Sequence, residues 1–442
     1  MTSEIKMKIT KFGGSSLADS SQLKKVKAII ESDAERRVVI VSAPGKRTGD
    51  DIKITDMLYT LSSHLKYGVP DDKILALITE RFVEIKNALN IPLDIEKELA
   101  ELAAALDKNT DRNYLVSRGE YFCARLVAAY LGYEFVDAAD VIKFSFDGTF
   151  DEETSRALVR EAVEKYGRIV VPGFYGAYPN GDINLFSRGG SDITGAFVAR
   201  FLGASMYENW TDVSGICCVD PRIVSSPKII EKISYDELRE LSYMGANVLH
   251  EDSILPVQDV GIDINILNTN APCERGTVIT RDAGDGSTIT GIAGKDGFIS
   301  FMIHKKHMSG EVGFLRKVLS VFEKYNISIE HAPSGMDMIS VIVSKEHASR
   351  TVHTIISEIE TTFGASVVLD RDLSLIAVVG HNMSGKAGIC AAVFGILGEA
   401  GVNIKVLAQA PDELTIIIGV AEKDKDVAIK SLYGGLCEKG LL

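Results

Sequence analysis

The chain of 442 residues holds one tryptophan, 11 prolines and six cysteines, and nowhere do eighteen or so apolar residues follow one another. Each shortage excludes something. Without a long apolar run, no membrane-spanning helix is expected. The opening "MTSEIKMKITKFGG" lacks the apolar stretch of a secretory signal, so a cytoplasmic location is expected. Cys217 and Cys218 are adjacent, whereas Cys123, Cys273, Cys390 and Cys437 are scattered. No pair has the spacing of a zinc site or a redox motif, and the thiols read as small apolar residues. Positive charge is also short: 48 Lys and Arg against 61 Asp and Glu give a net charge of −13, with no basic cluster. That argues against a nucleic-acid surface. If the substrates are anions, cations must be gathered locally against an acidic background.

The remainder is ordinary for a globular protein, with 46% hydrophobic and 25% charged residues. The length exceeds one core and implies two or three domains. "KMKITKFGG" (6–14) reads as a strand ending in a glycine turn. A helix follows, with Leu23, Val26, Ile29 and Ile30 on one face and Asp19 or Ser20 as its cap. "RVVIVSAPG" (37–45) and "GRIVVPGFYGA" (167–177) are apolar strands with small-residue exits. A helical region runs from about 53 to 108, with Ile95, Leu99, Leu102 and Leu106 on one stripe. Such alternation predicts a largely parallel sheet covered on both faces, with ligands at the carboxyl ends of its strands. From about residue 298 the pattern becomes a repeat: "GFLRKVLSVFEKYNISI" (313–329) aligns without gaps on "GICAAVFGILGEAGVNI" (388–404). Two copies of one small α+β module are expected. Residues 274–291 read as the linker before them.

The chemistry begins at "KFGGSS". Lys11 ends a strand, and Gly13 and Gly14 let backbone N–H groups approach an anion ahead of a helix. The bland alternative is a βα turn with a solvated lysine. "GHNMSGKA" (380–387) imitates a Walker loop but ends in alanine, so the magnesium-binding hydroxyl is missing. It reads as the repeat's own turn. In "FSRGGSDITGAFVARFL", Ser191 and Asp192 fall in the first turn of a helix after Arg188, Gly189 and Gly190; Ser and Asp there are usually caps. Arg118 and Glu120 bracket a glycine in "VSRGEYF", where a surface ion pair is the plain reading. Asp220, Pro221 and Arg222 read by default as a turn.

Taken together, "KFGGSSLAD", "VSAPG", "RGE", "FSRGGSD", "NWTDVSGICCVDPRIV" and "MGANVLH" resemble, in that order, the aspartate kinases of the amino-acid kinase superfamily. The paired C-terminal modules look like tandem ACT domains. The resemblance implies a three-layer αβα kinase domain over 1–292 with a mostly parallel sheet. Two α+β, ferredoxin-like ACT domains follow over 298–370 and 371–442, with strand exchange between them possible. It implies transfer of the γ-phosphoryl of MgATP to the β-carboxylate of L-aspartate, the first step toward lysine, threonine and methionine. Cofactors are ATP and Mg2+, the ion being held mainly by ATP and water, with no protein metal site. By the same resemblance Lys11 and Asp192 are catalytic. Gly13, Gly14, Ser15, Gly45, Thr211, Asp212, Asp220 and Arg222 serve the phosphates and nucleotide alongside Lys11. Ser42, Thr48, Glu120, Arg188, Gly189, Gly190 and Ser191 serve aspartate, Arg188 forking onto its α-carboxylate and Glu120 meeting its α-ammonium. Where relatives carry a lysine in "GAKVLHP", this chain has Asn247 and Glu251, so a cation is lost or Lys228 replaces it.

For the first ACT module the resemblance implies an effector site at Met308, Gly313, Phe314, Ile329 and Glu330. Its ligand is an amino acid, L-lysine before threonine, because Glu330 can meet an ε-ammonium while the matching Lys405 would repel one. The module edges imply a homodimer or a dimer of dimers. Two other readings stay open: a kinase for glutamate or N-acetylglutamate, and a non-catalytic amino-acid sensor. Glu120 speaks for a free α-ammonium, and Lys11 with Asp192 for a working kinase.

Overall fold

The computed structural model describes residues 6–69, 72–187, 189–245, 249, 253–284 and 286–442. Arg188, Asn247 and Glu251 lie outside the described residues. The chain forms two compact units. The first comprises Met1–Ile216, Ile229–Tyr235 and Val248–Ala283; the second comprises Cys217–Lys228, Asp236–Asn247 and Gly284–Leu442. Two short segments from ahead of residue 284 thus pack with the C-terminal unit. Periodicity along the chain cannot reveal this, because it reports which face is buried and not against what. Among the described residues no helix is long and apolar enough to cross a membrane.

The first unit is built on an eight-stranded sheet. Its order is Lys232–Ser234, Thr277–Thr280, Ile264–Asn268, Met206–Thr211, Lys8–Phe12, Arg36–Val41, Ile169–Pro172, Glu134–Phe135. All neighbours are parallel except Ile264–Asn268 with Thr277–Thr280. Thr277–Thr280 falls within the stretch read as a linker; its β-branched "TVIT" pairs into the sheet instead.

Alternation along the strand Lys8–Phe12 sorts its side chains between layers. Phe12 joins a core with Leu23, Val26, Ile29 and Ile30 of the helix Ser20–Glu31 and with Leu115, Phe122 and Leu126 of the helix Arg112–Leu131. Lys11 is directed to the other face, where the helix Gly190–Leu202 packs. The result is a three-layer αβα arrangement. Asp19 caps the first helix, its Oδ1 accepting from the Gln22 N–H at 2.9 Å. The helical region beyond residue 53 resolves into Ile54–Lys66, Asp72–Leu89 and Ile95–Ala105, and Ile95, Leu99 and Leu102 are buried as their spacing requires.

The second unit carries a six-stranded sheet in the order Ile329–His331, Met338–Ser344, Gly291–His304, Ser366–Val379, Thr415–Val420, Val406–Gln409. The helices Phe314–Lys324 and Ile389–Glu399 start and end 75 residues apart. Each copy of the repeat has a 3-10 turn ahead of its helix, Met308–Gly310 and His381–Met383, so "GHNMSGKA" is the module's own turn. The two central strands are each 14 residues long and run antiparallel along their length. Gly291 to Lys295 pair with Leu375 to Val379 and complete the second module from a point in the chain ahead of the first. The first module is therefore inserted into the second.

Candidate active site

Parallel strands put their carboxyl ends in a row. Met206–Thr211, Lys8–Phe12, Arg36–Val41 and Ile169–Pro172 are neighbours. The loops leaving them line a cleft of about 1100 Å³ together with Glu120 and the start of the helix Gly190–Leu202. Lys11, Gly13, Gly14, Ser15, Ser42, Gly45, Glu120, Gly189, Gly190, Ser191, Asp192, Thr211 and Asp212 all line it.

Lys11 is only 7% exposed, and its Nζ lies 2.5 Å from Asp192 Oδ1. The same oxygen accepts from Asn209 Nδ2 at 2.8 Å. Lys11 and Asn209 are register partners on adjacent parallel strands, so both reach one face and one carboxylate. Asp192 does not cap its helix. Gly189, with φ 76° and no side chain to bond, is the N-cap. The ordinary capping use of an aspartate is thus set aside for a lysine clamp. Asn209, buried at 4% exposure, escaped the sequence reading, since "ENWTD" does not show which residue stands beside Lys11.

The glycine loop meets its neighbour at backbone distance. The Gly45 N–H donates to the Gly14 carbonyl at 2.8 Å, and a Cβ at Gly45 would stand 2.6 Å from the Gly14 carbonyl carbon. The N–H groups of Gly14 and Ser15 open the 3-10 turn Gly14–Leu17, where no preceding turn supplies acceptors. Gly45→Ala is therefore expected to lower kcat at least about tenfold, since small displacements at a reacting centre are costly. Trapping the acyl phosphate as hydroxamate measures this; a rate equal to the parent's would show that the contact is idle.

Glu120 sits in the middle of the helix Arg112–Leu131, 4% exposed, and one of its carboxylate oxygens is buried without a hydrogen-bond partner. Burial pushes its pKa up to about 8, against the lowering effect of the Ala43 N–H and the charge of Arg118. Arg118 itself is no ion-pair partner. Its guanidinium stacks over the rings of Tyr114, Tyr121 and Tyr175 and donates to Ser117 Oγ at 2.9 Å.

Other expected residues lie elsewhere. Thr48 is exposed and does not line the cleft; Lys46, Lys53, Thr55, Asp56 and Tyr59 do. The long loop after "SAPG" carries Thr48 outward, and the hydroxyl that enters is Thr55, in the first turn of Ile54–Lys66. Asp220 and Arg222 belong to the second unit and pair with each other, at 2.7 Å between Arg222 Nη2 and Asp220 Oδ2. They are not among the described residues lining the cleft. Lys228, the proposed substitute cation, donates to the Leu442 carbonyl at 2.9 Å within the second unit.

In the first module Met308 and Phe314 are buried, Gly313 is the left-handed N-cap of Phe314–Lys324, and Ile329 and Glu330 lie on the edge strand Ile329–His331. Glu330 accepts a hydrogen bond from the Tyr243 hydroxyl. These five residues surround no common cavity among those described. An open groove of about 570 Å³ starts at Gly313 and runs along Leu315, Arg316, Leu319, Ser320 and Glu323.

A buried lysine–aspartate clamp beside a double glycine turn, at the carboxyl ends of a parallel sheet, marks a phosphoryl-transfer site. The chain belongs to the amino acid kinase family, whose model matches residues 6–268. An ACT domain model matches residues 376–436. Within the family the chain falls among the aspartokinases. Aspartokinase 3 of Bacillus subtilis is 37% identical over 97% of this chain and 98% of its own length. The aspartate kinase of Clostridium acetobutylicum, a solved structure of an allosteric enzyme, superposes with TM-score 0.88 at 46% identity, covering 97% of this chain and 99% of that one. E. coli aspartokinase III has been solved with aspartate and ADP and, separately, with lysine and aspartate. The two superpose with TM-scores 0.75 and 0.74 at 25% and 26% identity, over 98% and 97% of this chain and 100% and 99% of those chains.

Proposed function

We propose that the cleft transfers the γ-phosphoryl group of MgATP to the β-carboxylate of L-aspartate, giving 4-phospho-L-aspartate. The observation that carries this reading is the pairing of the Lys11–Asp192 clamp with Glu120, a buried carboxylate in the same cleft with one oxygen lacking a hydrogen-bond partner. An aspartate side chain has a reference pKa near 3.9 and is already an ionised nucleophile at pH 7, so no general base is required. The work is to bring an anion to a polyanion and to stabilise charge on the phosphoryl group in flight.

Lys11 meets that charge, and Asp192 with Asn209 fixes its position. The N–H groups of Gly14 and Ser15 face the phosphates, while Lys46 and Lys53 add cations at the rim. Glu120 takes the α-ammonium of aspartate, and Ser42, Thr55 and Ser191 surround the amino acid. Arg188 is assigned the α-carboxylate on sequence grounds. Magnesium arrives with the nucleotide. Among the described residues no cluster of three or more His, Cys, Asp or Glu forms a metal cage. Asp212, at the exit of Met206–Thr211, offers a hard oxygen ligand of the type the ion prefers, with phosphate oxygens and water for the rest.

We read residues 1–292 as carrying the catalytic part, apart from the segments that pack with the C-terminal unit, with 298–370 as the first regulatory module and 371–442, completed by Gly291 to Lys295, as the second. A homodimer or dimer of dimers forms through the module edges, and the location is cytoplasmic, where both substrates are supplied. Turnover with aspartate, glutamate and N-acetylglutamate, each followed by hydroxamate formation, tests the substrate. Faster turnover of either alternative would overturn the assignment.

L-Lysine is the expected inhibitor, bound in the first module at Glu330. The matching Lys405 of the second module is already paired with Asp370 at 2.9 Å. An ε-ammonium reaching Glu330 must share or displace the Tyr243 hydroxyl. Coupling of about 1–3 kcal/mol between effector and substrate is the usual scale. Glu330→Gln is expected to raise the lysine concentration for half inhibition at least about tenfold, a loss in the range of a charged hydrogen bond. An unchanged titration in this variant places the effector elsewhere.

A further inference from the structure

Arg81 is buried at 3% exposure in the helix Asp72–Leu89, remote in sequence from every motif of the cleft. Its Nη1 donates to the Gly45 carbonyl at 3.0 Å, and its Nη2 donates to both oxygens of Asp51 at 2.8 Å. Asp51 is saturated: it also accepts from the Arg47 N–H at 2.9 Å, from Arg47 Nε at 3.0 Å and from the Ile52 N–H at 3.0 Å. Arg47 reaches back to the same helix through Glu84 at 3.0 Å. One guanidinium therefore ties both ends of the loop 45–51 to a helix outside the cleft.

What that loop carries makes the clamp more than a fastening. Gly45 touches the phosphate turn at Gly14. The 45–46 peptide is trans, so its N–H points opposite to its carbonyl. With the carbonyl held on Arg81, the Lys46 N–H is turned away from Arg81. Lys46 lines the cleft, as does Lys53 two residues beyond the clamped Asp51. A buried guanidinium costs desolvation that an apolar side chain would avoid, and what it supplies here is directed hydrogen bonds to Gly45 and Asp51.

We propose that Arg81 is a positioning residue for phosphoryl transfer, acting through the Gly45 carbonyl and Asp51 to orient the Gly45–Lys46 peptide and the two loop lysines toward the nucleotide's phosphates. The inference rests on the kinase reading above and concerns the nucleotide half of the cleft, not the aspartate half.

Arg81→Lys keeps the charge but cannot fork onto two acceptors. It is expected to lower kcat about tenfold and to raise KM for ATP severalfold, with KM for aspartate within twofold of the parent. Asp51→Asn breaks the same fork from the other side with an isosteric side chain. It should show the same split, and the double variant should lose little more than either single one. Should Arg81→Lys fail to fold, Asp51→Asn carries the comparison. A lowered Tm with kcat and KM for ATP unchanged, or equal movement of both KM values, would overturn the proposal. Losses that multiply in the double variant would overturn it too. The parent's own turnover separates the failures. A parent inactive on aspartate removes the kinase reading, whereas an active parent with an indifferent Arg81→Lys removes only this role.

Discussion

Lys11→Ala is expected to lower kcat by about a hundredfold to a thousandfold, the usual loss when one transition-state donor is removed. The structure says why so much depends on one cation. Lys11 is almost wholly buried, and its ammonium is held 2.5 Å from Asp192. Asn209 holds the same carboxylate oxygen from the other side. A cation fixed before the reaction needs no reorganisation during it. The loss is expected in kcat and in kcat/KM for aspartate alike, since the interaction strengthens only as charge develops on the phosphoryl oxygens. Asp192→Asn leaves the lysine in place but weakens the contact that fixes it, so a smaller loss, again in kcat, is expected. Steady-state kinetics of the two variants checks both. A Lys11→Ala rate within threefold of the parent would assign the charge to another group.

The two regions of the site differed in how plainly the sequence announced them. The glycine turn at 13–14 and the small residues at 45 follow apolar strands directly. A parallel sheet forces such exits to one edge, so local pattern and global geometry agree there. The 75-residue offset of the two modules is equally local, because each helix repeats its apolar stripe on its own. What pattern does not carry is pairing. Asn209 acquires its role from standing beside Lys11 in a parallel register, and nothing in "ENWTD" states which strand it neighbours. Arg81 is hidden for a similar reason, in an amphipathic helix where an arginine ordinarily reads as solvated surface. Thr48 illustrates the opposite error. A hydroxyl assigned by resemblance lies exposed in the loop after "SAPG", and Thr55 lines the cleft instead. Asp220 and Arg222 gave a charge pair that satisfies itself.

Glu120→Gln is expected to raise KM for aspartate roughly a hundredfold, the scale for losing a charged partner at a buried site, with a much smaller change for ATP. Glu120 is buried at the cleft wall, and burial pushes its pKa up to about 8, so at neutral pH the empty enzyme carries this carboxyl mostly protonated. An ammonium group placed against it favours the ionised form. Binding aspartate then releases a proton: about 0.9 per site at pH 7 for a group of pKa 8 that ionises fully on binding. Calorimetry in buffers of different ionisation enthalpy counts that proton. The affinity for aspartate is expected to fall about tenfold per pH unit as the pH drops from 8 toward 6, because binding must first ionise the group. The sign for stability is opposite. In the empty protein the folded pKa lies above the ordinary 4.5, so the folded state holds more protons between about pH 4.5 and 8. Its stability from this group is fully present below that window and is lost as the pH rises through it. Saturating aspartate ionises the group in the folded state as well and so removes that trend, and the gap in Tm between the liganded and empty enzyme is expected to widen as pH rises from 6 to 8. A gap that stays constant with pH, together with no proton release, would mean that Glu120 is not the group that receives the α-ammonium.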